Sequence, residues 1–167
     1  MRRRTLLLGA TLGTGMALVG CGFHLREPAD LPYTRLALTG FAHRSPMVDA
    51  LRQVLPTSTR VIDRTSDAEV VVVALDDRFQ KTVVASTAAG QVREFRLRVT
   101  LKFRLTSADG KPLIEDTELE QSRDLSYIET SALGKEEEEA VLVREMRNDI
   151  AQQLLQMLSA VGRTAGR

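Results

Sequence analysis

The chain has 167 residues, a length typical of one domain, with the 43% hydrophobic and 27% charged content of an ordinary folded protein. Its net charge of +1 argues against nucleic-acid binding by bulk charge, and Arg2, Arg3 and Arg4 are the only charged residues in the first twenty. The single cysteine excludes an internal disulfide, and with two histidines it gives none of the usual closed zinc sets.

The N-terminus has the charge order of a secretory signal, with three arginines followed by an apolar run. Residues 5–20 include four glycines, and at about 1.5 Å per residue they fall short of the roughly 30 Å core of a bilayer, which disfavours a spanning helix. We therefore interpret residues 1–20 as a signal peptide. The consecutive arginines leave the export route open between the general secretory and the twin-arginine pathways.

Cys21 directly follows this signal, and the Leu18-Val19-Gly20 before it resembles a bacterial lipobox. Such a signal implies cleavage before the cysteine, an S-diacylglycerol group on its sulfur and an N-acyl group, such as palmitate, on its new amino terminus. Several acyl chains make a stable anchor, since each buried CH₂ contributes about 0.8 kcal/mol. Gly22 stands where an Asp would favour the inner membrane, and so it indicates the outer membrane. The alternative is an unmodified, buried cysteine behind an ordinary signal.

The mature chain is interpreted as one domain between two short flanking segments. Residues 21–33 contain two prolines and little periodicity, which favours a lipidated N-terminus and an extended tether. Residues 34–162 contain the alternating strand and helix signals of a single domain, and residues 163–167 form a short tail.

The domain begins with a strand, a helix and a second strand. Residues 34–40 and 59–63 are predicted strands because they are short, β-rich and bounded by turn residues. Between them, residues 45–55 have the apolar spacing of an amphipathic helix. Ser45 is its predicted N-cap and Pro46 its first helical residue.

Two longer strands follow. The β-branched run at 68–75 predicts a strand covered on both faces, which continues over 76–87 with a bend at Asp76-Asp77 and ends at a turn over 88–91. Residues 95–106 alternate strictly between apolar side chains and basic or threonine side chains. This pattern predicts a long strand with one buried and one basic face.

A three-residue loop, Ala108-Asp109-Gly110, is predicted to turn the chain into the next strand, with its glycine in the left-handed conformation. We prefer its register to that of a two-residue Asp-Gly turn because it pairs apolar with apolar residues and opposite charges, including Arg98 with Glu120. The last element is a predicted helix over 132–160 with an apolar stripe, and Gly162 is its predicted stop.

These elements predict an α+β fold, an α/β sandwich in which two helices pack on one face of a mixed sheet of about four strands. The sequence contains no nucleophile elbow, phosphate loop or His-Glu-x-x-His motif. The acidic run at 136–139 is expected to be a solvated face near the positive end of the helix dipole. We therefore expect a protein that is not an enzyme and that has no metal or cofactor.

The mature chain resembles the LPS-assembly lipoprotein family LptE in three stretches that occur in the same order. They are CGFHLR at 21–26, Gly90-Gln91 before the alternating strand, and the segment 131–158 with its Ala-Leu-x-Lys opening. The resemblance implies a lipoprotein on the periplasmic side of the outer membrane that plugs and helps to assemble the LptD β-barrel. It also implies that the complex inserts lipopolysaccharide (LPS) into the outer leaflet.

The same resemblance implies that basic residues bind LPS. Lys135 matches the lysine of the Ala-Leu-x-Lys motif, whereas Ala88 stands where the family has a basic residue two positions before Gly-Gln. Arg93 is the expected substitute, and Arg98 on the basic strand face is a third candidate. The basic strand residues have an alternative role in pairing with acidic residues of the next strand. The alternative function is a stand-alone periplasmic binding or regulatory lipoprotein without a barrel partner.

Overall fold

The computed structural model describes residues 31–127 and 132–165. Its elements are β1 (Arg35–Thr39), α1 (Pro46–Val54), β2 (Arg60–Ile62), β3 (Val70–Ser86), β4 (Val92–Thr106), β5 (Pro112–Ser126) and α2 (Ala132–Ala165). Within these residues the α+β class with a mixed sheet and two helices is confirmed, and the sheet has five strands rather than about four. Within the described residues, no helix is both long enough and apolar enough to cross a bilayer.

The sheet combines a parallel half with an antiparallel half, in the order β2-β1-β3-β4-β5. β1 lies between β2 and β3 and is parallel to both, whereas β3, β4 and β5 form an antiparallel meander. The pairing of β1 with β3 covers only residues 70–73 of β3. Beyond that point β3 continues to Ser86, and among the strands of residues 31–127 only β4 borders it there, so that its other edge is unpaired within this part of the chain.

Helix α1 begins as its sequence predicts. The hydroxyl oxygen of Ser45 accepts a hydrogen bond of 3.1 Å from the backbone N–H of Met47, which caps the helix, and Pro46 occupies the first turn. The same hydroxyl donates to the carboxylate of Asp77 on β3. Ser45 is buried, so this contact fixes the start of α1 against β3 next to the register shift between Ala74 and Asp76.

Both helices pack on one face of the sheet, as expected. The apolar face of β4 is the centre of the core, and its fully buried side chains are Leu97, Val99, Leu101, Phe103 and Leu105. The stripe of α2 packs against this face through Val143, Met146, Ile150, Leu154 and Leu158. Met47 and Leu51 of α1 complete the cluster. The strict alternation of β4 therefore has its cause in a single core on one side of the strand.

Both β-hairpins use the same kind of three-residue loop. The third loop residue is a glycine with positive φ in each case, Gly90 at 80° and Gly110 at 83°. Its N–H donates to the carbonyl of the residue before the loop, Thr87 or Ser107, over 2.9 Å. The predicted loop at 108–110 is therefore confirmed, and only glycine adopts this conformation without strain.

The predicted pairing of β4 with β5 is wrong beyond this loop. Two register shifts between Phe103 and Thr106 move the partner strand by two residues, so that Arg98 lies opposite Ser122. A shift of two leaves every side chain on its original face. Arg98 consequently still contacts Glu120, now as a diagonal neighbour, with 3.2 Å between Nε and Oε1.

The predicted stop of α2 at Gly162 is also wrong, because the helix continues through Gly162 to Ala165. A Cβ at Gly162 would lie 1.9 Å from Cγ of Pro32. The glycine thus allows the segment before β1 to cross the helix in contact with its backbone. Leu31, next to this crossing, is only 7% exposed and belongs to the core. A packing requirement explains this glycine, and not helix termination.

Candidate ligand-binding site

A small cavity of about 110 Å³ lies between the N-terminal part of α2 and the sheet. Of the residues proposed from the sequence, Lys135 lines it. The complete lining is Lys81, Phe95, Leu125, Tyr127, Lys135, Glu136 and Glu139. The cavity therefore combines cationic, aromatic and acidic side chains from four different elements or their ends.

Strand register explains why the sheet residues of this lining meet. Phe95 of β4 pairs with Val83 on one side and with Leu125 on the other, and Lys81 occupies the next row beside Leu97. Because alternate residues of a strand point to the same side, Lys81 and Phe95 both emerge on the face that carries the helices.

The aromatic residues form the floor of the cavity. Nζ of Lys81 lies 4.3 Å from the centroid of the Phe95 ring, within the range of a cation–π contact. The rings of Phe95 and Tyr127 meet edge to face, with centroids 5.3 Å apart and planes at 78°. Two packed rings beside ammonium groups suit a ligand that has both an anionic group and an apolar or sugar face.

Carboxylates of α2 cover both ammonium groups. Nζ of Lys81 lies 2.5 Å from Oε2 of Glu139, and Nζ of Lys135 lies 2.7 Å from Oε2 of Glu138. The lysine side chains are only 34% and 22% exposed, so these ion pairs are partly shielded from solvent. An anionic ligand therefore has to compete with the protein's own carboxylates.

Arg93 lies at the same end of the sheet as this cavity. Its carbonyl accepts a hydrogen bond of 2.8 Å from the N–H of Tyr127, which lines the cavity. Its side chain is exposed and makes no ion pair or side-chain hydrogen bond with any other residue that the structure describes. Arg93 is thus available to a ligand at this end of the molecule.

Arg98 lies elsewhere, on the sheet face opposite the helices. This outer face carries a row of ion pairs between β4 and β5, namely Arg96–Asp124 at 2.7 Å, Arg98–Glu120 at 3.2 Å and Arg104–Asp116 at 2.7 Å. Hydrogen bonds between Arg96 and Asp124 lower the pKa of the carboxyl and raise the pKa of the guanidinium. These contacts favour the cross-strand pairing role for this face over a ligand-binding role.

Sequence reasoning missed Lys81, although a signal for it was present. Gly90 is the last residue of the segment 88–90, just as Gly110 is the last residue of the loop 108–110. This similarity predicts a second three-residue loop. Counting outward from such a loop pairs Lys81 with Leu97 and places it on the same face as Phe95, as observed. The register shifts near Ala85 do not disturb this result, because they offset one another.

A second surface feature lies on the unpaired part of β3. Its exposed large apolar side chains are Leu75 at 41%, Phe79 at 38%, Val83 at 47% and Val84 at 41%. The other long edge strand, β5, is instead rich in exposed charged residues. Charged side chains protect a strand edge from association, whereas an exposed apolar edge is typical of a surface that a partner covers.

A family model described as LptE, lipopolysaccharide-assembly, matches residues 33–158, which include every strand and most of α2. The chain belongs to the LptE family. The protein named LPS-assembly lipoprotein LptE of Photorhabdus laumondii is 29% identical over 96% of this chain and 88% of its own length. The protein of the same name from Yersinia enterocolitica is 31% identical over 96% of this chain and 78% of its own length.

Solved structures with this fold are also known. The solution structure of an uncharacterized lipoprotein B from Nitrosomonas europaea is 26% identical, covers 83% of this chain and 91% of its own, and superposes with a TM-score of 0.70. The crystal structure of rare lipoprotein B from Shewanella oneidensis is 21% identical, covers 80% of this chain and 99% of its own, and has a TM-score of 0.65. At this level of identity the likeness supports the fold alone. Lys135, the candidate that the resemblance in sequence singles out, is one of the residues that line the cavity.

Proposed function

We propose that this LptE family member is a non-enzymatic, lipid-anchored protein of the outer membrane. In this proposal it plugs and helps to assemble an LptD-like β-barrel and assists the insertion of LPS into the outer leaflet. Family membership supports a role in LPS assembly. The observation that carries the ligand half of the proposal is the cavity in which Lys135 lies beside a second lysine and two packed rings.

LPS has the chemistry that such a cavity selects. Its phosphates and carboxylates need Lys or Arg donors, and charge-assisted hydrogen bonds to these groups are about twice as strong as neutral ones. Lys135 and Arg93 provide cations at one end of the molecule, and Arg98 serves as a comparison residue on the other sheet face.

Binding of purified LPS to the folded protein tests this half. We expect Lys135→Glu combined with Arg93→Glu to weaken binding by about tenfold or more, because two attractive charges become repulsive. Arg98→Glu combined with Arg96→Glu is the matched control, since it also replaces two cations by carboxylates but on the opposite face, and we expect it to leave binding nearly unchanged. Equal binding by the double variant and the wild type would reject Lys135 and Arg93 as ligand contacts.

The membrane half of the proposal depends on Cys21, which lies outside the described residues, as does the signal at 1–20. The lipobox predicts S-diacylglycerol and N-acyl groups on Cys21. Cells grown with a clickable palmitate analogue test this modification. Wild-type protein should carry the label in the outer-membrane fraction, and Cys21→Ser should carry none. A labelled Cys21→Ser protein would refute the assignment.

The partner half is supported by the exposed apolar side chains of β3. Affinity purification of the full-length protein from solubilised outer membranes should recover a large β-barrel protein in near-stoichiometric amount. Phe79→Glu with Val83→Glu should reduce this recovery severalfold by placing charges in an apolar contact. Glu118→Lys with Glu120→Lys, on β5, is the control for a two-site change on an edge strand. Recovery of no barrel from the wild type would favour the stand-alone periplasmic lipoprotein instead.

A further inference from the structure

We propose that Lys81 is a second ligand-binding cation of the cavity, and that Glu139 and Glu138 are built-in competitors which a phosphate group displaces. This inference rests on the proposed LPS function and concerns how the same site is opened. It follows from three features of the cavity: the position of Lys81, the size of the space, and the balance of charge around it.

Lys81 and Lys135 approach the cavity from different elements. Lys81 belongs to β3 and is fixed by the pairing of β3 with β4, whereas Lys135 lies in the first turns of α2. Both side chains line the same space. The ring of Phe95 lies under the Lys81 ammonium group and limits where that group can move. Two ammonium groups from separate elements can therefore bind different oxygens of one anionic group.

The space limits the size of that group. A cavity of about 110 Å³ holds the volume of roughly three or four liquid water molecules. This is enough for a phosphate, and the partly open mouth leaves room for the sugar ring that carries it. The edge of Tyr127 lies next to Phe95 and provides an apolar contact for such a ring.

The charges around the cavity do not favour an anion. Lys81 and Lys135 are countered by Glu138, Glu139 and the lining residue Glu136. An incoming phosphate offers up to two negative charges and three acceptor oxygens, so it forms more charge-assisted hydrogen bonds with the lysines than a single carboxylate does. The side chain of Glu139 is 20% exposed and that of Glu138 is 49% exposed, so the glutamate paired with Lys81 is the more shielded of the two. Its opening therefore controls access to Lys81.

This arrangement predicts opposite effects for the two members of one ion pair. Glu139→Gln keeps the size of the side chain and removes the competing charge, so we expect LPS to bind about three- to tenfold more tightly. Lys81→Ala removes a ligand contact, so we expect about tenfold weaker binding, with Lys81→Arg retaining most of the affinity. A purely structural ion pair predicts something different, because loss of either partner would then weaken binding or leave it unchanged.

The experiment measures binding of purified LPS, and of the same LPS after enzymatic dephosphorylation, to full-length wild-type, Glu139→Gln, Lys81→Ala and Lys135→Glu proteins. Thermal unfolding of each variant establishes that it is folded. Tighter binding by Glu139→Gln to phosphorylated LPS, with no such gain for dephosphorylated LPS, supports the inference. Unchanged or weaker binding by folded Glu139→Gln overturns it, as does an equal gain for both forms of LPS.

The outcome separates this inference from the proposed function. If Lys135→Glu weakens binding while Glu139→Gln has no effect, the carboxylate competition is rejected and the LPS role stands. If the wild type does not bind LPS, both fail. If Glu139→Gln does not fold, the inference is tested by NMR of the wild-type protein. The ¹⁵Nζ resonance of Lys81 should shift when LPS is added, because a phosphate then replaces the carboxylate next to it. An unshifted Lys81 signal in LPS-saturated protein would reject a direct contact.

Discussion

The crossing of Pro32 over Gly162 gives the sharpest prediction about this fold. Gly162→Ala adds one methyl group in the interior of a helix, a change that ordinarily stabilises a helix by up to about 1 kcal/mol. Here the added Cβ would lie 1.9 Å from Cγ, 2.9 Å from Cδ and 3.2 Å from Cβ of Pro32. Contacts this short cannot be accommodated, so the segment that carries Pro32 and Leu31 must leave the helix.

The expected cost follows from what this movement exposes. Leu31 is 7% exposed in the core cluster, and burial of a leucine side chain contributes about 1.5–3 kcal/mol. Subtracting a gain in helix propensity of about 1 kcal/mol leaves a net loss of about 0.5–2 kcal/mol. For a domain of this size that corresponds to a decrease of about 1–8 °C in Tm.

Thermal unfolding followed by circular dichroism measures this effect, and the chain provides a matched control. Gly134 lies in the same helix, and a Cβ there would meet nothing within 4 Å. Gly134→Ala should therefore raise Tm or leave it unchanged. Pro32→Gly should remove the clash, so that Gly162→Ala is no longer destabilising in that background. An increase in Tm for Gly162→Ala in the wild-type background would refute the close-approach explanation.

Two further predictions concern polar groups of the fold. The N–H and hydroxyl of Thr34 donate to the Glu69 carboxylate over 2.7 Å and 2.8 Å, and these hydrogen bonds lower its pKa from 4.5. Glu69→Gln should thus lower the free energy of unfolding by about 1 kcal/mol at pH 7. This difference should shrink as the pH falls below about 4.5, because the wild-type carboxylate is then protonated, first in the unfolded state and at lower pH in the folded state, where its pKa is lowered. A difference independent of pH between 7 and 3 would contradict this prediction. The hydroxyl of Thr100 is buried and has no hydrogen-bond partner among the described residues. Thr100→Val should therefore raise the free energy of unfolding by about 0.5–1 kcal/mol, as measured by urea unfolding. A lower free energy of unfolding would indicate that this hydroxyl has a partner.

Much of the fold could be predicted because its main signals are local. The alternation of residues 95–106, the Ser45-Pro46 helix start and Gly110 of the loop before β5 each specify a short-range geometry, and all three are confirmed. Strand register could not be predicted in the same way. The shifts near Phe103 place two extra residues in β5 relative to β4, and the periodicity of a single strand does not contain this information.

The candidate site shows the same division. The motif around Lys135 could be recognised from its sequence, because it is a contiguous pattern. Lys81 becomes visible only when β3 is paired with β4 and the face of each residue is known. The glutamates at 136–139 were expected to form a solvated helix face, and the first three of them are exposed. Glu139 is the exception, because its side chain is only 20% exposed and forms an ion pair with Lys81. The candidate site therefore depends on a contact across 58 positions of sequence, from Lys81 to Glu139.

The length of α2 separates the lysine cavity from the segment that precedes β1. Pro32 contacts the helix at Gly162, whereas Lys135 lies near its other end, and the helix rises about 40 Å between these two positions at 1.5 Å per residue. The two ends of α2 therefore have different neighbours: one end contacts the segment that leads back toward Cys21, and the other end contributes Lys135 to the cavity about 40 Å away.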